Sequence, residues 1–194
     1  MNKELVLIMG GARSGKSSFA QRLAKTVGSK VLFLATAQAG DDEMAERIAR
    51  HKASRPATWQ TVEEPLELAS VLQRETNSTD VVIIDCLTLW LNNLLLKDGG
   101  SSETEVLEQV DKLLDVYQKG TASYIVVSGE VGLGLVPPYH LGRTYRDLLG
   151  WMNQKLARRA DNVFLMLAGI PLELKSLGIH WSSITDDMDS NNRR

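Results

Sequence analysis

The stretch GGARSGKSS at residues 10–18 decides the fold. It contains the pattern G-x-x-x-x-G-K-S, with Lys16 and Ser17 as the last two residues of the pattern. An apolar run at 4–10 precedes it, and an amphipathic helical pattern follows it. The pattern therefore lies between a predicted strand and the start of a predicted helix. This context argues against a chance match. The stretch therefore predicts a loop that binds the phosphates of a nucleoside triphosphate.

The residue types of this loop suit phosphate binding. Its glycines let backbone N–H groups converge on phosphate oxygens, and the following helix N-terminus adds a partial positive charge. Lys16 can reach the β- and γ-phosphates as a catalytic cation, and the Ser17 hydroxyl can coordinate Mg²⁺. The predicted nucleotide contacts are Gly10, Gly11, Ala12, Arg13, Ser14, Gly15, Lys16 and Ser17. An ordinary strand–helix turn is the alternative, and the Lys–Ser pair at the required spacing argues against it.

Short apolar runs alternate with longer amphipathic stretches along the whole chain. The apolar runs lie at 4–10, 30–36, 80–88, 122–129 and 161–169. They are rich in Val, Ile, Leu and Phe, which is typical of strands that are buried on both faces. The helical patterns lie at 17–27, 41–53, 63–75, 88–97, 104–118 and 141–160. This alternation predicts an α/β fold with a mainly parallel sheet flanked by helices, and 169–175 could add a short antiparallel strand.

Size and composition are those of one soluble domain. The 194 residues are 43% hydrophobic and carry a net charge of -2, which gives no reason to expect nucleic acid or an anionic membrane as partner. No apolar run approaches the roughly 20 residues of a membrane-spanning helix. The single cysteine, Cys86, fits a reducing cytoplasm. We predict one cytoplasmic domain over 1–178 and a flexible tail over 179–194, where the apolar periodicity is lost.

Two acids follow predicted strands, at the edge of the sheet where α/β proteins collect their ligands. Asp85 ends one apolar run, and in P-loop proteins an acid at this place holds Mg²⁺, usually through water. Glu130 ends another and begins a loop whose glycines and prolines suit a cover over a site. We predict Asp85 as a metal and nucleotide ligand beside Ser17, and Glu130 as a catalytic acid. For Asp85 the alternative is a loop or capping residue, and for Glu130 it is a plain surface loop.

Two arginines near the start of the last long helical pattern are also candidates. Arg143 and Arg146 are three residues apart and therefore share a helix face. Cations at a helix start are unfavourable for the helix dipole, so their presence suggests an anionic ligand such as a triphosphate. Solvated arginines are the alternative, and the sequence leaves the two interpretations open.

The segment DDEMAERIARHKASRP at residues 41–56 is typical of a helix with an acidic start and a basic end, which complements the helix dipole. His51 follows Met44 by seven residues and Ile48 by three, so it shares their apolar face. A nucleophilic histidine must be neutral, and nearby cations favour that form while attracting a phosphate. A half-buried histidine that bonds a carbonyl is the commoner alternative, and the residues alone do not exclude it.

Four segments taken together resemble one family. They are GGARSGKS, FLATAQAGDDEMAERIARHKASRPATWQTVEEP, IIDCLTLWLNNLL and SGEVGLGLVPPYHLGRTYRDLLGWMNQKLARRADNVFLMLAGIPLELK. The family is the bifunctional adenosylcobinamide kinase / adenosylcobinamide-phosphate guanylyltransferase of cobalamin biosynthesis. The similarity runs from about residue 5 to 175. Many families share the phosphate loop, whereas the second and fourth segments are far more specific.

The resemblance implies a RecA-like P-loop fold with two activities. The first transfers the γ-phosphoryl group of ATP or GTP to the aminopropanol hydroxyl of adenosylcobinamide, and the second transfers GMP from GTP onto that phosphate. It implies a covalent GMP–histidine intermediate at the position of His51, a nucleotide contact at Arg55, a Mg²⁺ cofactor and a homo-oligomer, in characterised relatives a trimer. Some relatives carry two adjacent histidines at this place, whereas this sequence has Arg50 before His51.

Two other functions account for the phosphate loop alone. One is a small-molecule kinase without nucleotidyl transfer, in which His51 is structural. The other is a nucleotide-binding regulatory or transport-coupling module that works on a protein partner. Neither gives a reason for the special segments at 41–59 and 130–137. The sequence leaves open the choice of ATP or GTP as phosphoryl donor, and whether Trp59, Trp90 and Trp151 contact a ligand or the core.

Overall fold

The computed structural model describes residues 3–53 and 55–177. Seven strands alternate with helices along the chain. The strands are β1 Leu5–Gly10, β2 Val31–Ala35, β3 Gln60–Glu63, β4 Val81–Asp85, β5 Ser123–Val127, β6 Asn162–Leu167 and β7 Ile170–Glu173. The helices are α1 Lys16–Val27, α2 Asp42–Ala53, α3 Leu68–Glu75, α4 Leu87–Leu96, α5 Glu103–Lys119, α6 His140–Arg159 and α7 Leu174–Leu177, with a 3-10 turn at Thr76–Ser78.

The strands form one sheet in the order β3-β2-β4-β5-β1-β6-β7. All neighbours are parallel except β6 and β7, which pair antiparallel with Leu167 opposite Ile170. The prediction of a mainly parallel sheet with a short antiparallel strand near the C-terminus is confirmed. The order places the end of β5 between β4, which carries Asp85, and β1, which leads into the phosphate loop.

Helices cover both faces of the sheet, because successive strand residues point to opposite sides. On one face Leu7, with neighbouring strand residues, packs against α3, α4, α5 and α6. On the other face Ile8 and Phe33 pack against Ala20 and Ala24 of α1. Strands buried on both faces explain the continuous apolar runs of the sequence. Among the described residues, none of the helices is long and apolar enough to cross a bilayer.

One element differs from the prediction. A helix was expected over 63–75, but Gln60–Glu63 form the edge strand β3 and the helix begins only at Leu68. Three of the four residues of β3 are exposed, so the strand lacks the apolar run that marked the others. Its place is set by parallel pairing with β2, where Val62 lies opposite Leu34. The expected flexible tail at 179–194 lies outside the described residues, and the single-domain boundary stays a prediction.

A capping box stabilises the start of α5. Ser102 accepts a hydrogen bond from the Glu105 N–H, and the Glu105 carboxylate accepts one from the Ser102 N–H at 2.7 Å. This reciprocal capping box satisfies N–H groups that the helix itself leaves unpaired. It also lowers the pKa of the Glu105 carboxyl, chiefly through the backbone hydrogen bond from Ser102.

The hairpin of β6 and β7 is held at its open end by Glu173. Burial acts to raise the pKa of its carboxyl, but hydrogen bonds from the N–H groups of Val163, Ser176 and Lys175 outweigh burial and lower that pKa to about 2. A carboxyl with a depressed pKa stabilises the folded state above its ordinary pKa of 4.5 and loses that contribution as the pH falls toward 2.

We expect Glu173→Gln to reduce the acid sensitivity of folding. The amide can still accept hydrogen bonds but cannot titrate, so the variant lacks this contribution at neutral pH and does not lose it below pH 4.5. Urea unfolding of both proteins at a series of pH values measures the difference. The free energy of unfolding of the wild type should fall toward that of the variant as the pH is lowered. Parallel pH profiles for the two proteins would contradict the assignment.

Candidate active site

The phosphate loop joins β1 to α1 with the backbone geometry that its sequence requires. Gly10 and Gly15 have φ of 151° and 94°, and Arg13 has φ of 56°, so the loop turns through conformations that favour glycine. The side chain of Ser14 is buried under the loop, whereas Gly11 and Arg13 are exposed. The Lys16 ammonium group donates to the Gly11 carbonyl at 2.5 Å, across the mouth of the loop. The predicted contacts therefore lie in one tightly turned loop that leads into the N-terminus of α1.

The turn between β6 and β7 supports this loop from behind. The Gly169 N–H donates to the Ser14 carbonyl at 3.1 Å. A Cβ on Gly10 would lie 2.6 Å from the Met166 carbonyl oxygen, so only glycine allows this close approach between β1 and β6. The antiparallel hairpin thus helps to hold the phosphate loop in place against the end of β6.

Asp85 lies at the end of β4, beside the loop, and is surrounded by cationic and hydroxyl groups. Burial raises the pKa of its carboxyl. The groups that act in the opposite direction are the Ser17 hydroxyl, which hydrogen-bonds to it, and, electrostatically, His51, Arg55 and Lys16. The five side chains predicted to share a nucleotide and metal site are therefore neighbours within one chain. Their individual roles stay predictions.

Helix α2 brings His51 to the site from the side of α1. Among its described side chains, Met44, Ile48 and His51 are the half-buried ones, as expected from their spacing. A cleft of about 270 Å³ lies between the two helices. Its lining is Ser18, Gln21, Arg22, Lys25, Arg50 and His51. The cleft is rich in cations, so an anionic group that enters it lies beside the imidazole in a favourable electrostatic field.

Arg55 is held in an unusual setting just after α2. Its guanidinium carbon lies 3.8 Å above the centre of the Phe33 ring, a cation–π contact with the sheet. Its Nε and Nη1 atoms are buried and have no hydrogen-bond partner among the described residues. Burial lowers the pKa of the guanidinium, while Asp85 and Glu63 act to raise it. These unmet N–H groups can donate to an anionic or carbonyl oxygen of a ligand.

Glu130 lies three residues beyond the end of β5, next to the phosphate loop. Its N–H donates to the Gly10 carbonyl at 3.0 Å, and its carboxylate accepts from the Gly132 N–H at 2.5 Å. Behind it, the buried Asn153 of α6 accepts from the Ser128 hydroxyl at 2.6 Å and donates to the Gly129 carbonyl at 3.0 Å. The end of β5 is thus tied both to the loop and to α6, which fixes the backbone of Glu130.

The two arginines of α6 contact their own surroundings. Arg143 donates to the carbonyls of Pro137 and Pro138, so it braces the loop that precedes the helix. Arg146 forms an ion pair with the adjacent Asp147 at 2.9 Å and lines a cavity next to Glu130. Neither side chain makes a contact with the phosphate loop among the contacts described, so their nucleotide-binding roles stay predictions.

The three tryptophans in the described part of the chain divide between core and surface. Trp90 is 1% exposed and donates its indole N–H to the Leu66 carbonyl, so it belongs to the core. Trp59 is half-buried and packs on the α1 side of the sheet. Trp151 is 45% exposed on α6 and is available to solvent.

Three residues at this edge were missed from the sequence. Glu63 ends the unexpected strand β3 and forms an ion pair with Lys52 near Arg55. Thr36, fully buried after β2, exchanges hydrogen bonds with the backbone of Cys86 at 2.7 and 2.8 Å. Asn153 lies inside an amphipathic helix. No pattern in the sequence marked Glu63, because β3 is short and largely exposed, while the other two depend on contacts that are distant in sequence.

Comparisons with known proteins agree with this geometry. A family profile described as "Cobinamide kinase / cobinamide phosphate guanyltransferase" matches residues 6–174. The chain is 48% identical over 170 residues to the "Bifunctional adenosylcobalamin biosynthesis protein CobP" of Pseudomonas aeruginosa, with 87% of this chain and 96% of that protein covered. It is 38% identical over 181 residues to the CobU protein of the same description from Escherichia coli, with 88% and 99% covered.

A third curated relative and a solved structure were also found. CobU of Salmonella typhimurium is 37% identical over 181 residues, with 88% of this chain and 99% of that protein covered. The RadB recombinase structure is similar with a TM-score of 0.49 and 16% identity, over 84% of this chain and 73% of that one. On the strength of the family profile and the curated relatives, the chain belongs to the cobinamide kinase / cobinamide phosphate guanyltransferase family and is a bifunctional enzyme of adenosylcobalamin biosynthesis.

Proposed function

We propose that both activities use the one phosphate-loop site, first as a kinase for adenosylcobinamide and then as a guanylyltransferase through a GMP–His51 intermediate. The observation that carries the proposal is the neighbourhood of Asp85, where the Ser17 hydroxyl, Lys16, His51 and Arg55 act on one carboxyl group. A lysine of the phosphate loop and a candidate nucleophile that both act on the same carboxyl group support one shared site for nucleotide and histidine.

In the kinase step the substrate hydroxyl oxygen attacks the γ-phosphorus of ATP or GTP. The bond between that phosphorus and the β,γ-bridging oxygen breaks, and the nucleoside diphosphate leaves. The Glu130 carboxylate takes the hydroxyl proton, and Lys16 with the backbone N–H groups of the loop neutralises the charge that develops on the phosphoryl oxygens. The product is adenosylcobinamide phosphate.

The guanylyl step proceeds by two displacements at the α-phosphorus of GTP. The neutral imidazole of His51 attacks, the bond to the β-phosphate oxygen breaks, and pyrophosphate leaves from the phosphate loop. A phosphate oxygen of adenosylcobinamide phosphate then attacks the same phosphorus, and the P–N bond to His51 breaks. The products are adenosylcobinamide-GDP and a neutral histidine. The unmet donors of Arg55 suit the charged oxygens of the α-phosphate.

The residues present fit a magnesium ion. Oxygen ligands are what Mg²⁺ prefers, and Ser17 and Asp85 provide a hydroxyl and a carboxylate in hydrogen-bond contact. Mg²⁺ in nucleotide-binding sites is commonly held by one or two protein oxygens together with substrate phosphates, and Ser17 and Asp85 suit that arrangement. When bound, the ion supplies neutralisation of phosphate charge and orientation of the leaving group.

Positional labelling tests the proposed sequence of steps. The protein is incubated with Mg²⁺ and GTP that is labelled at the α- or the γ-phosphate, and then with adenosylcobinamide. We expect protein-bound label from the α-phosphate alone, stable to base and labile to acid, and label from the γ-phosphate in adenosylcobinamide phosphate. Phosphorylation of adenosylcobinamide without any protein-bound label would instead favour a kinase without nucleotidyl transfer.

Arg55→Met is expected to change stability and activity in opposite directions. Methionine keeps an apolar contact with Phe33 but removes buried donors that have no hydrogen-bond partner, which in other proteins cost about 1–3 kcal/mol each. The nucleotide-free variant should therefore melt at a higher temperature than the wild type, while guanylyl labelling slows. Thermal unfolding and the labelling rate measure the two effects. A variant that is less stable and labels at the normal rate would show that Arg55 has a structural role only.

We further propose that the enzyme acts in the cytoplasm, where the thiol of Cys86 stays reduced, and as a homo-oligomer. Apolar side chains stand on the surface of the 131–141 segment, where Leu133 is 86% and Leu135 97% exposed. Large apolar side chains exposed together mark contact surfaces. Light scattering coupled to size-exclusion chromatography measures the mass of the assembly. We expect the mass of a trimer, as in the characterised relatives. A monomer at micromolar concentration would contradict it.

A further inference from the structure

A second cavity lies on the opposite face of the sheet from His51. It has a volume of about 280 Å³ and lies between the end of β5 and helix α6. The residues that line it include Met9, Glu130, Arg146, Leu149, Gly150 and Asn153. The guanylyl step as proposed uses the α1 side of the sheet, so this cavity has no assigned occupant.

The position of the cavity connects it to the phosphoryl-transfer site. Glu130 forms part of its wall, and the N–H of Glu130 is bonded to the Gly10 carbonyl at the start of the phosphate loop. Met9, also in the wall, is the residue before Gly10. A hydroxyl group that sits at this end of the cavity lies beside the carboxylate proposed to take its proton. The cavity therefore adjoins the start of the phosphate loop from the α6 side.

The size and lining of the cavity suit one part of the corrinoid substrate and not the whole molecule. Pockets for whole drug-sized ligands have volumes of about 300–1,000 Å³, so a corrin macrocycle does not fit inside about 280 Å³, whereas a chain of about ten heavy atoms does. Leu149, Ala157 and Met9 make one part of the wall apolar, whereas Glu130, the one acidic group of the lining, lies in the polar part with Arg146. An amide-linked aminopropanol arm has a methyl group, a short alkyl stem and one secondary hydroxyl, which matches this lining.

Gly150 keeps the cavity open. It lies in the interior of α6, where glycine costs about 1 kcal/mol of helix stability relative to alanine. A Cβ built at Gly150 meets no atom within 4 Å, so no packing contact explains the glycine. The added atom would occupy the cavity that Gly150 lines. A ligand that needs this space would explain why glycine, which is unfavourable inside a helix, occurs at position 150.

We propose that this cavity binds the aminopropanol arm of adenosylcobinamide and presents its hydroxyl to Glu130, while the macrocycle stays outside. The assignment rests on the proposed function, since it names the acceptor subsite of the kinase step. It places the acceptor on the α6 side of the phosphate loop and the guanylyl–histidine on the α1 side.

Substitution of Gly150 tests the proposal, because its effects on stability and binding should be opposite. Gly150→Ala is expected to raise the melting temperature, while the Kd for adenosylcobinamide, measured by equilibrium dialysis and its visible absorbance, rises about tenfold or more. The KM for adenosylcobinamide should rise in parallel, and guanylyl labelling by GTP without acceptor should be unchanged. Gly150→Leu, which fills more of the cavity, should weaken binding further.

Arg158→Ala is the matched control for the Gly150 variants. It removes an exposed side chain of the same helix that does not line the cavity, and it should leave the Kd unchanged. N-propanoyl-1-amino-2-propanol, which is the arm without the macrocycle, should compete with adenosylcobinamide in wild type and not in Gly150→Leu. Folded Gly150 variants that bind adenosylcobinamide like the wild type would overturn the cavity assignment. A different result is also informative: the variants could weaken binding although the wild type does not phosphorylate adenosylcobinamide. That result would overturn the kinase proposal and would still support the cavity assignment.

Discussion

His51→Ala is expected to abolish guanylyl transfer and to leave adenosylcobinamide kinase activity close to that of the wild type. Loss of a covalent nucleophile removes the intermediate itself, so the rate of GMP transfer should fall by about 10³-fold or more. The kinase step uses the phosphate loop and Glu130 and does not form a bond to the histidine. Protein labelling by GTP that carries label in the α-phosphate, together with phosphorylation of adenosylcobinamide, measures both activities on one preparation.

His140→Ala serves as the matched control. His140 is an exposed histidine at the start of α6, within 3.4 Å of the Thr144 hydroxyl, and has no assigned catalytic task. The control should label like the wild type. Persistent acid-labile labelling of His51→Ala would show that another group carries the GMP. Equal loss of both activities in His51→Ala would indicate a structural role for the imidazole.

Lys16→Ala is expected to reduce both activities together. Lys16 closes over the phosphate loop, and its ammonium group and the hydroxyl of Ser17 act on the same carboxyl group of Asp85. Removal of one preorganised cation at the site of charge development costs about 10²–10³-fold in rate. Because one loop is proposed to hold the γ-phosphate in the first step and pyrophosphate in the second, the two rates should fall by similar factors.

Lys112→Ala is the control for this change, since Lys112 is an exposed lysine on α5. Steady-state rates of kinase and of guanylyl transfer, each at saturating nucleotide, should be normal in the control. A Lys16→Ala enzyme that loses the kinase and keeps guanylyl transfer would mean that the two reactions use different triphosphate sites.

Features encoded by local pattern were predicted well from the sequence. The phosphate loop and its strand and helix depend on neighbours within a few residues, and the apolar runs reveal each strand that is buried on both faces. The half-buried face of α2 with His51 followed from helical spacing alone. Strand β3 was missed because Gln60–Glu63 is short and largely exposed, so that only its pairing with β2 identifies it.

Features that depend on contacts distant in sequence could not be predicted. The stacking of Arg55 on Phe33 joins residues on a loop and a strand, and no spacing rule relates them. The same holds for the hydrogen bonds of Asn153 to the end of β5. The bonds of Arg143 to the Pro137 and Pro138 carbonyls are a further contact that the sequence did not indicate. The nucleotide contact of Arg143 stays a prediction.

The central claim is that the imidazole of His51 carries GMP between GTP and the corrinoid phosphate. Peptide mass spectrometry of the GTP-treated enzyme, digested at alkaline pH to preserve a P–N bond, tests it most directly. The account predicts one GMP adduct, on the peptide that contains His51, which disappears when adenosylcobinamide phosphate is added. A GMP adduct on Lys16 or on another histidine, or an adduct that adenosylcobinamide phosphate does not discharge, would contradict it.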